Sequence, residues 1–161
     1  MAIRNVRIDG DPILRKKSKE VSEITPKVKE LISDMYDTMY RENGVGIAAV
    51  QVGILKRIVV IDDREENRLT LINPVIKNSK GEQVGMEGCL SIPKKQGKVK
   101  RYSELELEYM DEDGNKNEII ASEFLATVIQ HELDHLDGIL YSDRAEEMFD
   151  LDDLEDISEE E

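Results

Sequence analysis

Gln130-His131-Glu132-Leu133-Asp134-His135-Leu136-Asp137-Gly138 contains the only two histidines of the chain. On a helix, a spacing of four places His131 and His135 on one face, with Glu132 beside them and within reach of a proton. This is the pattern of a hydrolytic metal site in which glutamate acts as general base. Two imidazoles do not complete such a site, so a third protein ligand must come from elsewhere in the chain. The competing reading is a chance pattern on a solvated helix.

The residues around the motif favour a helix. Ser122 is suited to cap its start, and Gly138 to break it after Leu136. Leu125, Ile129, Leu133 and Leu136 form a stripe that should anchor the helix in a core. Phe124 and Val128 share the face of the histidines instead. Apolar side chains beside a metal are what a pocket wall requires.

The single cysteine, Cys89, excludes an internal disulfide and fits a reducing compartment. It is a buried small hydrophobe, a reactive thiol or a metal ligand. Its neighbours Glu87-Gly88-Cys89-Leu90-Ser91 are not the apolar run expected around a packing cysteine. A thiolate joining two imidazoles would suit a first-row divalent metal and leave one position open.

Upstream, Gly44-Val45-Gly46-Ile47-Ala48-Ala49-Val50-Gln51 lacks the third glycine of a dinucleotide loop and the Lys-Ser/Thr of a phosphate loop. A backbone edge that packs closely or binds a peptide fits it better. Gln51, an amide in an apolar run, is either a hydrogen-bonded core residue or a donor aimed into a site.

The remaining periodicities predict a helix from about Pro26 to Asn43, with Thr25 as cap, Val28, Leu31, Ile32, Met35 and Met39 as its apolar stripe, and Gly44 as a left-handed stop. Strands are expected at Lys56 to Ile61, at Leu69 to Ile72 ending at Asn73-Pro74, and at Glu82 to Glu87. Leu105, Leu107 and Tyr109 alternate with glutamates, Asp111 to Asn115 reads as a hairpin turn, and Glu118 to Ala121 returns. Lys94 to Arg101, with five positive charges, reads as a solvated basic loop.

At 161 residues the chain is sized for one domain, taken as 1–146, followed by an acidic tail at 147–161 that is marginally helical or disordered. The net charge of -14 argues against a nucleic-acid backbone as the main partner. Ten of those negative charges lie from Glu146 to Glu161, where no Lys or Arg occurs. No stretch has transmembrane length, and the first residues do not read as a secretion signal. The expectation is a monomer in the cytoplasm, with no DNA or membrane partner.

Three separated motifs together resemble the bacterial peptide deformylase family. They are Gly-x-Gly-Ile-Ala-Ala-x-Gln at Gly44 to Gln51, Glu-Gly-Cys-Leu-Ser at Glu87 to Ser91, and Gln-His-Glu-x-Asp-His at Gln130 to His135, within a likeness spanning roughly residues 3 to 145. The resemblance implies an α+β fold of mixed, mostly antiparallel strands around a central metal-bearing helix. It implies Cys89, His131 and His135 as ligands of one divalent metal, natively Fe2+, with Zn2+, Ni2+ or Co2+ as substitutes. Glu132 is implied as proton carrier, and Gln51 with the Leu90 backbone N–H as oxyanion donors. Val45, Gly46, Glu87, Gly88, Phe124 and Val128 are implied at the substrate. The implied reaction removes the formyl group from the formyl-methionine of nascent polypeptides and releases formate, with transient association with the ribosome.

The chain departs from the family at Lys94-Lys95 and Ser122-Glu123, and it carries an acidic tail in place of the basic C-terminal helix that some members use at the ribosome. A general zinc metallopeptidase shares the helix motif, but the usual downstream ligand is missing. A non-catalytic metal-binding protein would have no use for Glu132 and Gln51.

Overall fold

A computed structural model describes residues 2–151. Two helices enclose a sheet between them. The first, α1 (Pro26–Arg41), starts where Thr25 accepts a hydrogen bond from Val28 N at 3.2 Å and Pro26 occupies the first turn. Its stripe of Val28, Leu31, Ile32, Met35 and Met39 is buried as the periodicity predicts. The stop differs by one residue from the expectation. Asn43, at φ 57°, takes the left-handed conformation. Gly44 is required for space instead, since an added Cβ would lie 3.0 Å from Leu90 Cδ1.

The sheet is antiparallel, in the order β1 (Gly46–Ala48), β2 (Ile58–Asp62), β3 (Arg68–Lys80), β6 (Glu104–Met110), β7 (Lys116–Ser122). The continuous apolar run of β2 follows from coverage on both faces. Ile58 and Val60 pack against α1, while Val59 and Ile61 pack toward α2 (Glu123–Leu136). In β6, Leu105, Leu107 and Tyr109 face the same core as α2, as their alternation predicts. The Asp111 turn is held by its own carboxylate, which accepts from Asp113 N and Asn115 N.

A second antiparallel sheet has the order β4 (Gln83–Cys89), β5 (Ile92–Arg101), β8 (Glu147–Asp150). Here the structure corrects three readings. Lys94 to Arg101 is part of a strand, not a solvated loop. Its inward positions, Gly97, Val99 and Arg101, hide the alternation from a hydrophobicity reading. β3 runs through Asn73-Pro74 instead of ending there. The register shifts between Ile72 and Val75, an irregularity in which proline's missing N–H breaks no ladder bond. Residues 147–150, grouped by composition with the tail, form β8 and pair with β5 from Lys95 to Lys98. Residues 152–161 lie outside the described residues.

The predicted α2 boundaries hold, but Ser122 makes no side-chain capping bond. Short α3 (Tyr141–Arg144) follows, and its Tyr141 joins Ile92, Val99 and Leu140 in a small core under the second sheet. No described helix is long and apolar enough to cross a membrane.

Ile129 on α2 is fully buried, whereas Ile120 on β7 is 70% exposed. Replacing Ile129 with Ala should cost about 2–5 kcal/mol in urea unfolding, and Ile120 to Ala under about 0.5 kcal/mol. A truncation before Glu147 also removes β8, so it should lower the urea midpoint relative to one before Asp152.

Candidate active site

The α2 helix carries His131, Glu132 and His135 into the interior, where all three are buried. The β4–β5 hairpin brings Cys89 to them. Ligand atoms of Cys89, His131 and His135 all lie within 4.8 Å of one another. Cys89 Sγ is 3.3 Å from His135 Nε2. One soft sulfur and two imidazoles at this separation fit a first-row divalent ion with an open position. Cys89 stands with the two histidines and also packs against the small core of Ile92, Val99, Leu140 and Tyr141.

The histidine rings are held from behind. His131 Nδ1 donates to Glu87 Oε1 at 2.9 Å, which leaves Nε2 for a ligand. The ring also stacks on Tyr141, centroid to centroid 5.7 Å. Glu87 takes two further bonds from Arg101, Nε at 2.9 Å and Nη2 at 2.8 Å. Arg101 Nη1 reaches Asp134 on α2 at 2.7 Å, and Arg144 closes on the same carboxylate. Sequence reading put Glu87 at the substrate surface. It does line the cleft, but its carboxylate is engaged by Arg101 and His131. Arg101 belongs to the family likeness and Tyr141 reads as a packing residue, but no spacing in the sequence shows their contacts with Glu87 and His131.

Two buried glutamates behave in opposite ways. Burial alone would raise the Glu87 pKa, but Arg101 and His131 outweigh it and hold it down at about 2. Burial pushes Glu132 up to about 7, and its Oε1 has no hydrogen-bond partner among the described residues. A cation among the three ligand atoms opposes that rise. Burial also lowers His135 well below the usual imidazole range. For His131, burial acts in the same sense, but its bonds to Cys89 and Glu87 prevail and hold it well above that range.

Gln51 satisfies both readings of its amide. Its Oε1 accepts from Ala48 N at 2.9 Å, while Nε2 donates to Ser91 Oγ at 3.1 Å and lies 3.6 Å from Cys89 Sγ. Ser91 closes the Glu87 to Ser91 motif, and its bond to Gln51 is visible only in the fold. Gly46 has a specific steric duty. A Cβ there would stand 2.7 Å from Glu132 Oε2 and 3.1 Å from Val128 Cγ1, so only glycine lets the β1 backbone pass the carboxylate.

These groups open into a cleft of about 530 Å3. Val45 and Gly46 line one side, Gly85 to Leu90 the other, and Phe124, Val128, His131 and Glu132 the floor. Val128 is buried, and Phe124 stands at the mouth, 47% exposed. β1 and β4 are the end strands of their sheets, so two strand edges border the cleft. A larger hollow of about 710 Å3 lies around Arg57, Tyr102 and Asp137, away from the three ligand atoms.

The family model for polypeptide deformylase matches residues 3–149. The peptide deformylase of Agathobacter rectalis is 56% identical over 146 residues, 91% of this chain and 92% of that protein. That of Caldanaerobacter subterraneus is 49% identical over 159 residues, 99% of each. Among solved structures, the peptide deformylase of Thermotoga maritima superposes with a TM-score of 0.87 at 37% identity, covering 90% of this chain and 99% of that one. The Synechococcus elongatus enzyme in complex with actinonin gives 0.86 at 42% identity, over 89% and 79%. With the Cys/His/His group, these likenesses establish that the chain belongs to the peptide deformylase family, metal-dependent hydrolases that remove the N-formyl group from nascent polypeptides.

Proposed function

We propose that Cys89, His131 and His135 hold the single metal, that Glu132 carries the proton of the reaction, and that the formyl-methionine end of a nascent chain lies in the cleft between β1 and β4. The observation that carries this reading is the buried Glu132 Oε1, without a hydrogen-bond partner among the described residues, beside three clustered ligand atoms. A divalent ion there, natively Fe2+ with Zn2+, Ni2+ or Co2+ as substitutes, supplies Lewis acidity and lowers the pKa of water.

The residues divide the remaining work. Glu132 accepts a proton as water adds to the formyl carbon and returns one to the amine as the C–N bond breaks, releasing formate. Gln51 Nε2 and the Leu90 N–H donate to the oxygen that becomes negative on that carbon. Support for Gln51 comes from its Nε2 lying beside Cys89. Substrate backbone adds to the open edges at Val45-Gly46 and Glu87-Gly88, as a strand adds to a sheet. Its methionine side chain enters between Phe124 and Val128. Glu87 positions His131. The reading extends to a monomeric enzyme in the bacterial cytoplasm, with a catalytic unit that runs through β8, and transient contact with ribosomes.

Three measurements test it. Replacing Glu132 with Ala should leave metal content near one per chain while formate release from a formyl-Met peptide falls about 10²–10⁴-fold. Full turnover in that variant would remove Glu132 from the mechanism. Glu87→Ala should weaken metal affinity about 10–100-fold in competition with a chelator, because His131 loses its partner. Gly46→Ala, which drives a methyl into Glu132, should lower turnover at least about tenfold with metal still bound. In addition, iron-loaded enzyme should lose activity on exposure to air, since thiolate-bound ferrous iron is oxidisable.

A further inference from the structure

The rim of the cleft carries two lysines, and Asp150 stands opposite one of them, Lys95, where β8 pairs with β5. Lys94 and Lys95 are exposed, line the cleft, and take part in no ion pair among the described residues. By contrast, Lys77, Lys80, Lys100 and Lys116 each face a glutamate within 3.3 Å. Of the acidic groups lining the cleft, two are engaged or buried and one faces solvent. Glu87 is bound to Arg101, Glu132 is buried beside the ligand atoms, and Glu123 is exposed at the start of α2.

The lysines also stand at a defined distance along the cleft. Cys89 pairs with Ile92 across the hairpin, and Gly88 lies against the next residues of β5. An added Cβ on Gly88 would be 3.6 Å from Lys95 O and 3.8 Å from Gln96 Cγ. Lys95 is therefore beside the residue that immediately precedes Cys89. An extended substrate advances roughly 3.3 Å per residue, so the residues following its methionine pass this wall. Lys94 is held at φ 63°, in the left-handed region that few side chains adopt, which fixes where its side chain leaves the rim.

We propose that Lys94 and Lys95 select among nascent chains by charge, favouring Asp or Glu at the second or third residue after formylation over Lys or Arg there. This rests on the peptide lying in the cleft as described above. The attraction is between solvent-exposed charges, so it acts on encounter and binding and is screened by salt.

The test compares C-terminally amidated formyl-peptides on the metal-loaded full chain: formyl-Met-Ala-Ala as neutral reference, and the same peptide with Glu or Lys at position two or three. At low salt, kcat/KM should favour Glu over Lys about three- to tenfold at one of the two positions, mainly through KM. The ratio should shrink toward one in high salt and in the Lys94→Asn, Lys95→Gln double variant. Asn tolerates the left-handed backbone, and taking the ratio within each variant cancels any general loss of activity. A ratio at or below one at both positions, or a ratio that survives the double substitution, overturns the proposal. Failure to turn over the neutral peptide overturns the cleft assignment itself, and this inference with it.

Discussion

The Arg101 guanidinium is the contact on which the site depends. Almost wholly buried, it reaches Glu87 on β4 and Asp134 on α2 from its place on β5. The second sheet and the central helix are thus joined through one side chain. Cys89 comes from that sheet and the histidines from that helix, so the ligand set exists only while the two stay in register. Burying a charge is costly unless its partners are well placed, and removing one partner of such a pair typically costs about 3–5 kcal/mol. Arg101 has two carboxylate partners, and Glu87 passes the constraint on to His131.

The first sheet is joined to the same helix by closeness instead of charge. Gly46 brings the β1 backbone against Glu132, and the neighbouring Ala48 N is bonded to Gln51. With β1 and β4 both at sheet ends, the helix lies beneath a gap bordered by unpaired backbone. Exposed strand edges invite pairing with other chains. Here the edges border the cleft proposed to take the peptide, and β8 covers the opposite edge of the second sheet.

Much of this was legible in the sequence where a physical period carried it. Helix α1, strand β6, the Asp111 turn and the boundaries of α2 follow from spacings of three to four, alternation and turn chemistry. The ligand candidates were legible because the chain has two histidines and one cysteine. Strand β5 was not, since its core-facing side consists of glycine, valine and a buried arginine that composition reads as solvated. Strand β8 lies in an acidic run whose composition suggests no pairing. Pro74 concealed the length of β3 because a register shift accommodates it. The Arg101, Tyr141 and Ser91 contacts exist only in three dimensions, and no local pattern announces them.

The two glutamates show why burial alone does not define a role. Glu87 and Glu132 are both nearly inaccessible, yet one is held at about 2 and the other rises to about 7. Partners make the difference. Glu87 faces a guanidinium and an imidazole N–H that favour its charged form, so it stays ionised and can hold a histidine in a fixed tautomer. Glu132 has one oxygen, Oε1, with no hydrogen-bond partner among the described residues, and burial raises its pKa. On the proposed roles, a carboxyl that is to take up and give back a proton cannot be locked by a permanent cation. One that must orient a metal ligand cannot be free to lose its charge. Pairing Arg101 with Glu87 and leaving Glu132 unpaired separates the two tasks within a single buried site.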